Sequence, residues 1–239
     1  VIDFIILLGD ALNLGTPSDG TVATAKIAAN AVTAAKFNAD VISGQTALAA
    51  EPADTDEFLI SDAGVLKRID YSLIKGGGIT EADQWRITSN ASCSTSATII
   101  TANLERIDTA PQGYLAGSGM SQSSGIFTFP STGIWLVQST LQFSMSDNNN
   151  RFLQSFIFST TDNFSSVDNR MVEATSNTSA VSGTNYVDVH GSTLIDCTNT
   201  SNVKVKFGHQ VASTGGSEVL YASSTANRTY FTFIRLGDT

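Results

Sequence analysis

The side chains best suited to acid–base chemistry near neutral pH are scarce here, since the sequence has two histidines, His190 and His209. His190 shares its strand parity with Tyr186 and Asp188, so a hydrolytic triad with one of the many serines is the chemistry to consider. The sequence has no Gly-x-Ser-x-Gly elbow, and serine is too abundant for its proximity to a histidine to be informative. We therefore interpret His190 as an exposed polar position of a strand and His209 as a loop residue, and we predict no catalytic residue.

The two cysteines, Cys93 and Cys197, lie far apart in the sequence and have neither a metal-ligand spacing nor a redox spacing. We interpret them as small buried apolar side chains with free thiols, with a single disulfide as the alternative. Together with the two histidines they provide little material for a metal centre. The sequence therefore predicts no metal and no cofactor.

A polar segment at residues 147–151 separates two strongly apolar runs. Asp and Asn favour turns because their side chains hydrogen-bond to nearby backbone. The segment lacks the alternating acidic pattern of a calcium loop, which needs roughly six or more oxygen ligands. We predict that residues 147–151 form a hairpin tip and a candidate receptor-facing loop. The members of this loop are Asp147, Asn148, Asn149, Asn150 and Arg151. The hydroxyl-rich segment 213–217 is a second candidate loop.

Charge and composition exclude several classes of function. The 239-residue chain has only 15% charged residues and a net charge of −9, so it lacks the basic surface that nucleic-acid binding needs. The apolar run at residues 1–8 is much shorter than the roughly 20 residues of a membrane-spanning helix, and it lacks the features of a signal peptide. We expect no membrane insertion and interpret residues 1–14 as the end of an upstream β domain.

The sequence changes character at three consecutive glycines, Gly76, Gly77 and Gly78. Four aromatic residues precede residue 81, whereas all the others follow it. Consecutive glycines have no side chain to pack and behave as a linker. We therefore predict a stalk over residues 15–78 and a packed head domain over residues 79–239.

A short repeat in the predicted stalk spaces its large apolar residues five positions apart, at Val22, Ile27, Val32 and Phe37. Five residues rotate about 500° around a helix, so these side chains form no helical stripe, and on an extended chain they fall on alternate faces. The intervening alanines favour helix and leave local shielding as an alternative. We predict instead that several chains wind together and that these four residues are the contacts of a trimeric stalk.

A β-hairpin is predicted next, because two apolar runs at residues 58–60 and 65–69 flank Asp62-Ala63-Gly64, with glycine where a positive φ is needed. A two-stranded hairpin is only marginally stable by itself, so we expect it also to need partner chains.

The residues after position 80 predict an all-β domain. Short runs alternate between apolar and polar residues, as in Val203–Phe207. Trp135, Val137, Leu141, Phe143 and Met145 share one parity, and Phe152, Phe156 and Phe158 share another. No capped helical pattern appears in this part. Many short strands in a domain of this size are typical of a sandwich or a jelly roll.

Residues 125–137, Gly-Ile-Phe-Thr-Phe-Pro-Ser-Thr-Gly-Ile-Trp-Leu-Val, resemble a signature of the tumour-necrosis-factor/complement-head superfamily. In that signature a strand ending in Phe-Thr-x-Pro turns through a glycine into an aromatic-rich strand. The final strand, residues 230–236, resembles the closing strand of the family, which is buried at a trimer axis. The resemblance covers about residues 85–239. It implies a jelly-roll head.

The predicted stalk is similar to stalk modules of tailed-bacteriophage fibres, notably marine ones, in residues 15–22, in the Val-x-x-Ala-Lys repeat and in residues 54–66. The closing residues 233–239 are similar to the ends of such fibres. The resemblance implies a homotrimeric virion fibre that attaches to other virion proteins by its N-terminal side. It further implies a head that mediates attachment to the host surface, with a glycan or a protein as receptor.

Three other functions stay open at this point. A capsid-decorating head fibre would stabilise or extend the virion. A glycan-cleaving enzyme would need paired carboxylates, and the acidic residues here form no pair flanked by aromatics. A secreted cellular recognition module fits the head but not the stalk. We predict a structural protein rather than an enzyme, located in the virion as a tail or capsid fibre.

Overall fold

The computed structural model describes residues 19–239 except for residues 30, 34, 35, 37–39, 76, 77, 108, 109, 112, 114, 115, 147–149, 180, 181 and 216. The chain divides into two compact units, residues 1–75 and residues 76–239. The sequence predicted a boundary nearby, between residues 78 and 79. The segment 1–14 and Phe37, which both carried predictions, lie outside the described residues.

The described part of the N-terminal unit contains one β-hairpin and short helical segments. A 3-10 turn covers Thr24–Lys26, helix α1 covers Asp40–Ser43, and another 3-10 turn covers Tyr71–Leu73. The hairpin pairs β1 (Glu57–Asp62) with β2 (Val65–Asp70) in antiparallel register.

Two residues, Ala63 and Gly64, form the hairpin turn, with φ values of 48° and 85°. A two-residue turn with positive φ at both positions matches the right-handed twist of the flanking strands. Glycine adopts this conformation without the steric cost that a Cβ atom would add. The predicted hairpin and its glycine turn are confirmed.

The C-terminal unit is built from strands β3 to β15. Their bounds are β3 Ala82–Ile87, β4 Ala91–Ser92, β5 Thr98–Ile99, β6 Leu104–Arg106, β7 Ser121–Ser123, β8 Ile126–Thr128, β9 Gly133–Ser146, β10 Asn150–Thr160, β11 Asn169–Thr178, β12 Thr184–Cys197, β13 Lys204–Val211, β14 Val219–Leu220 and β15 Tyr230–Gly237.

These strands form two sheets that pack face to face. The first sheet has the central order β3-β15-β9-β12, with β6 beside β3 and with β14, followed by β4, beside β9. The second sheet has the order β8-β13-β10-β11, with β7 beside β8 and β5 beside β13. Two four-stranded sheets with these orders are the arrangement of a jelly roll. The predicted all-β jelly-roll head is confirmed.

Strand β9 shows how the sequence alternation builds the core. Trp135, Val137 and Leu141, which share one parity, point between the sheets and are fully buried. Ser139 has the same parity, and its hydroxyl meets the hydroxyl of Ser155 on β10 at 3.0 Å. This hydrogen bond satisfies two polar groups that would otherwise lie unpaired between the sheets.

The signature segment supplies the centre of the aromatic core. The ring of Phe127 lies 5.2 Å from Phe233, 5.5 Å from Phe207 and 5.5 Å from Trp85, measured between centroids. Phe207 stacks on Phe231 at 4.0 Å, which ties β13 of the second sheet to β15 of the first. Offset and edge-on aromatic contacts of this kind stabilise the fold beyond the apolar area that they bury.

Strand β10 is apolar on both of its faces. Leu153 and Ile157 belong to the central core, so the alternation places Phe156 and Phe158 on the outer face of the second sheet. The guanidinium of Arg170 lies over both rings, at 4.1 Å from the centroid of Phe156 and 5.4 Å from that of Phe158. These phenylalanines are therefore buried beneath a long cationic side chain rather than inside the main core.

The structure corrects the prediction for His209, which lies in strand β13 and not in a loop. Its side chain has the same parity as Val205, Phe207 and Val211, and it is buried between the sheets. The sequence suggests a loop here because Gly208 and His209 interrupt the alternating apolar residues of the strand.

Candidate functional site

The N-terminal unit exposes its large apolar residues. None of the described residues between 19 and 75 is buried. Of the predicted stalk contacts, Val22 is 53% exposed, Ile27 47% and Val32 54%, while Phe37 is outside the described residues. Other exposed side chains of this unit are Val41, Ile42, Leu48, Phe58, Leu59, Ile60, Val65, Leu66, Leu73 and Ile74. Among the described residues of this unit, there is no buried core for this apolar surface to join.

A second exposed surface is the outer face of the sheet β3-β15-β9-β12, where residues from neighbouring strands form rows across the sheet. One row is apolar and contains Ala82, Ile234, Leu136 and Leu194. Leu194, at the β12 edge, is 58% exposed. Isolated apolar surface residues are common, but a continuous row across four strands indicates a surface suited to association.

The next row towards the other end of the sheet is polar but uncharged. It consists of Gln84, Thr232, Gln138 and Ser192. The amide nitrogen of Gln84 donates to the hydroxyl of Thr232 at 2.9 Å. Amide and hydroxyl groups of this kind can exchange hydrogen bonds with a partner without the desolvation cost of an ionised side chain.

The third row contains Arg86, Tyr230, Thr140 and His190. Its last three members, together with the polar row, line a cleft of about 510 Å³. Nδ1 of His190 lies 3.1 Å from the hydroxyl of Thr140. The carboxylate of Asp188 instead accepts a hydrogen bond of 2.9 Å from the amide of Gln142. The side chains that face His190 are thus those of a polar sheet surface and not of a hydrolytic triad. The interpretation of His190 as an exposed polar strand position is confirmed.

The candidate receptor-facing loop is only partly described, since Asp147, Asn148 and Asn149 lie outside the described residues. Arg151 is exposed, but it lies in strand β10 and not in the loop, which corrects that part of the prediction. Asn150 differs, because its side chain is fully buried at the first position of β10. The prediction that Asn150 faces a receptor is corrected here.

The polar atoms of Asn150 hold the two ends of the second candidate loop, residues 213–217, through Ser213 and the flanking residues Ala212 and Glu218. Its amide nitrogen donates to the carbonyl of Ser213 at 2.9 Å and to the carboxylate of Glu218 at 2.8 Å. Its amide oxygen accepts from the backbone nitrogens of Ala212, at 2.9 Å, and Ser213, at 3.2 Å. The structure therefore brings the bases of the two predicted receptor-facing loops together. The sequence shows only that Asn150 is polar and lies in a polar run, which suggests a surface turn.

The buried thiols and the buried imidazole are not poised for catalysis. Cys93 and Cys197 are free, as predicted, and burial raises the pKa of the Cys93 thiol to about 12, so its nucleophilic thiolate is scarce at neutral pH. Burial also lowers the pKa of His209 to about 4, against a smaller opposing effect from the backbone of Ser92. Neither ring nitrogen of His209 makes a hydrogen bond of normal geometry with a described residue.

Metal-ligating residues are not clustered in the part of the chain that the structure describes: no group of three His, Cys, Asp or Glu side chains is placed to hold an ion. Among the same residues, no helix is long and apolar enough to cross a membrane.

Comparisons with known proteins find similarity in structure but not in sequence. No family model and no curated protein matches the chain. Among solved structures, the Eiger tumour necrosis factor from S. frugiperda is similar with a TM-score of 0.47 and 8% identity, over 68% of this chain and 96% of that one. Murine APRIL is similar with a TM-score of 0.44 and 10% identity, over 65% of this chain and 98% of that one. The assignment of a jelly roll rests on the strand order of the C-terminal unit itself.

Proposed function

We propose that this chain is a homotrimeric structural fibre protein of a virion, with a stalk in the N-terminal unit and a jelly-roll head that attaches to the host surface. The observation that carries the proposal is the exposure of the N-terminal unit. None of its described residues is buried, although many of them are large and apolar. A unit with this composition needs neighbouring chains to form a core.

The apolar residues of the five-residue repeat favour association of several chains. Burying a valine or isoleucine side chain contributes about 1.5–3 kcal/mol relative to leaving it in water. Val22, Ile27 and Val32 lose about half of this contribution in one chain, because each remains about half exposed. Three chains wound around one another would bury all copies of these side chains at once and recover this contribution.

The outer face of the sheet β3-β15-β9-β12 supports association of the heads as well. Its apolar row, which ends at Leu194, and its uncharged polar row together present a surface without ionised side chains. Such a surface can pack against another protein surface without leaving a charge unpaired. The proposed trimer therefore has a contact in each unit.

The placement of the loops supports the attachment role of the head. The chain enters the jelly roll at Ala82, which lies beside Ile234, whereas Arg86 lies beside Tyr230. Strand β9 runs from this entry end, at Gly133, to Ser146. Ser146, the last described residue before the candidate loop, is consequently at the opposite end of the sheet from the entry of the chain. A fibre would present that end outward.

Sedimentation of the recombinant chain tests the trimer. We expect a mass three times the 25.1 kDa of one chain. A monodisperse single chain would refute the proposal, because the exposed apolar residues would then be stable without partners.

Adsorption to host cells tests the attachment role. Purified chain should bind host cells and should compete with intact virions for adsorption. Arg151→Ala, beside the candidate loop, should weaken binding, whereas Thr198→Ala, at the other end of the first sheet, should not. Gold labelling of the head in intact virions would then distinguish a tail fibre from a capsid fibre. Release of oligosaccharide from host polysaccharide would instead favour an enzyme.

A further inference from the structure

The outer face of the sheet β3-β15-β9-β12 carries a pair of tyrosines at the end far from the entry of the chain. Tyr186 lies opposite Ser144, two residues before β9 ends at Ser146. The ring of Tyr186 lies 5.1 Å from the ring of Tyr221, measured between centroids. Tyr186 is 53% exposed, so it offers an aromatic surface at the end of the head that a fibre would present outward.

Three polar side chains form a hydrogen-bonded chain beside these tyrosines. The amide nitrogen of Gln142 donates to the carboxylate of Asp188 at 2.9 Å, and the guanidinium of Arg228 donates to the amide oxygen of Gln142 at 3.4 Å. The same guanidinium lies 4.2 Å from the ring centroid of Tyr221. A cation and an anion are thus joined through one amide, and their charges sum to zero.

A buried hydroxyl holds the backbone beneath these side chains. Thr229 is fully buried, and its hydroxyl donates to the carbonyl of Tyr221 at 2.9 Å and accepts from the backbone nitrogen of Gln142 at 3.1 Å. The backbone nitrogen of Tyr221 in turn donates to the carbonyl of Gln142 at 2.7 Å. These contacts fix the two residues before a ligand arrives, which lowers the entropic cost of binding. We name the tyrosine cluster as Tyr186, Tyr221, Gln142, Asp188 and Arg228.

The tyrosine cluster differs from the two rows that are proposed to join the heads. Those rows contain no ionised side chain, whereas the cluster contains Asp188, which is exposed, and Arg228, which is half-buried. The centre of an interface between proteins is depleted of charged residues, because covering them removes their water. The cluster is therefore better suited to a hydrated ligand that brings hydroxyl groups of its own.

We infer that the tyrosine cluster binds an uncharged glycan. The inference rests on the proposed attachment role of the head and names the chemical class of its receptor. A sugar ring has a face of C–H groups that packs on an exposed aromatic ring, and an edge of hydroxyls that both donate and accept. The carboxylate of Asp188 accepts from such hydroxyls, and the guanidinium of Arg228 donates to them. Because this cation is compensated within the cluster, no unpaired positive charge selects an acidic sugar.

Calorimetry with the full chain tests the inference. Oligosaccharides released from the host surface by mild acid and separated by anion exchange give an uncharged and an acidic fraction as probes. We expect the uncharged fraction to bind, and we expect Tyr186→Ala to weaken this binding by roughly tenfold or more, because the aromatic face is lost. Asp188→Asn should also weaken it, since an amide accepts fewer hydrogen bonds than a carboxylate. Tyr186→Phe keeps the ring and should bind within about threefold of the unsubstituted chain.

Met171→Ala is the matched control. It truncates a side chain of similar exposure, 48%, in β11 of the second sheet, and it should leave binding unchanged. Circular dichroism checks that each variant keeps its strands. Unchanged binding by both Tyr186→Ala and Asp188→Asn would overturn the inference, as would stronger binding of the acidic fraction. A smaller sedimented mass of Tyr186→Ala would also overturn it, because the cluster would then be a contact between heads.

Adsorption to whole host cells separates the two proposals. A chain that adsorbs to cells but does not bind the uncharged fraction refutes the glycan site and leaves the attachment role intact. A chain that binds neither refutes both. Binding of the uncharged fraction without adsorption to cells supports the glycan site and refutes the attachment role alone.

Discussion

The two units of this chain differ in the exposure of their large apolar residues. In the jelly roll, Phe127, Trp135 and Phe231 are fully buried, whereas in the N-terminal unit Val22 and Leu59 are more than half exposed. The difference follows from spacing and not from composition. Alternation with a period of two puts apolar side chains on one face of a sheet, where a second sheet can cover them. A five-residue spacing offers no such surface within one strand or helix.

The charged residues differ between the units in the same way. In the hairpin, Lys67 and Asp62 form an ion pair in which both side chains are about half exposed. In the jelly roll, the carboxylate of Asp83 is buried and pairs with Arg106 at 3.2 Å. Exposed pairs contribute roughly 0–1 kcal/mol, whereas breaking a buried pair removes several kcal/mol. Stability within a single chain therefore resides in the jelly roll.

The largest effect is expected for Phe127→Ala. The Phe127 ring contacts four aromatic rings from both sheets and is fully buried, so its removal leaves a cavity in the packed core. We expect the free energy of unfolding of the jelly roll to fall by about 3–5 kcal/mol. Denaturant unfolding followed by tryptophan fluorescence measures it. Leu66→Ala, which truncates an exposed residue of the hairpin, is the matched control and should change this value by less than about 0.5 kcal/mol. Equal losses would remove the contrast between the units.

A smaller loss, of about 3 kcal/mol, is expected for Asp83→Ala. The carboxylate accepts hydrogen bonds from the backbone nitrogen of Met120 at 2.7 Å, from the indole of Trp85 at 2.8 Å and from Arg106 at 3.2 Å. Removing it leaves these donors without their acceptor, and the backbone nitrogen of Met120 is buried. The same denaturant titration applies. Asp238→Ala removes an exposed acid that pairs with Arg235, and it should cost no more than about 1 kcal/mol. A cost for Asp83→Ala no larger than that of the control would contradict this account.

The stability of the jelly roll is expected to depend on pH through the buried side chain of His209. The pKa of His209 is lowered to about 4 by burial, so the unfolded chain binds the proton more readily than the folded one. The part of the unfolding free energy that depends on neutral His209 is therefore fully present above the unfolded pKa of about 6.5. It is lost as the pH falls towards 4, and the loss reaches up to about 3 kcal/mol. Thermal unfolding between pH 7 and pH 4 measures the slope. His209→Gln should reduce the slope, whereas His190→Gln, on the exposed face of β12, should leave it unchanged. Equal slopes in both variants would show that other groups carry the pH dependence.

Much of the fold could be predicted from the sequence because strand alternation is a local signal. The parity of Trp135 and its neighbours in β9, and the turn at Gly64, each follow from a few adjacent residues. The role of Asn150 could not be predicted in this way. Its partners, Ser213 and Glu218, lie more than sixty positions away, and only the pairing of β10 with β13 brings them close. In a single sequence, a buried asparagine that holds a distant loop has the same appearance as an exposed turn residue.

The two candidate surfaces also differ in whether the sequence alone can predict them. The exposed repeat at Val22, Ile27 and Val32 was predictable, since its spacing excludes burial within one strand or helix. The rows across the outer sheet face were not, because Leu136, Leu194 and Ile234 belong to three strands whose order is set by long-range pairing. The proposal that the head attaches to a host is based on residue composition and on the placement of the loops.

The smallest effect on the jelly roll, and the sharpest test of the comparison, is expected for Val22→Asp and Ile27→Asp. Both residues are about half exposed in one chain, so the substitutions should leave the unfolding free energy of the jelly roll unchanged within about 0.5 kcal/mol. If neighbouring chains bury these side chains, a carboxylate there must be desolvated, and association should weaken by roughly tenfold or more. Sedimentation over a range of protein concentrations measures it. Ala23→Asp adds the same charge at an adjacent exposed position and should weaken association much less. Unchanged association in all three variants would mean that the repeat is not a contact, and the apolar surface of the N-terminal unit would then need another explanation.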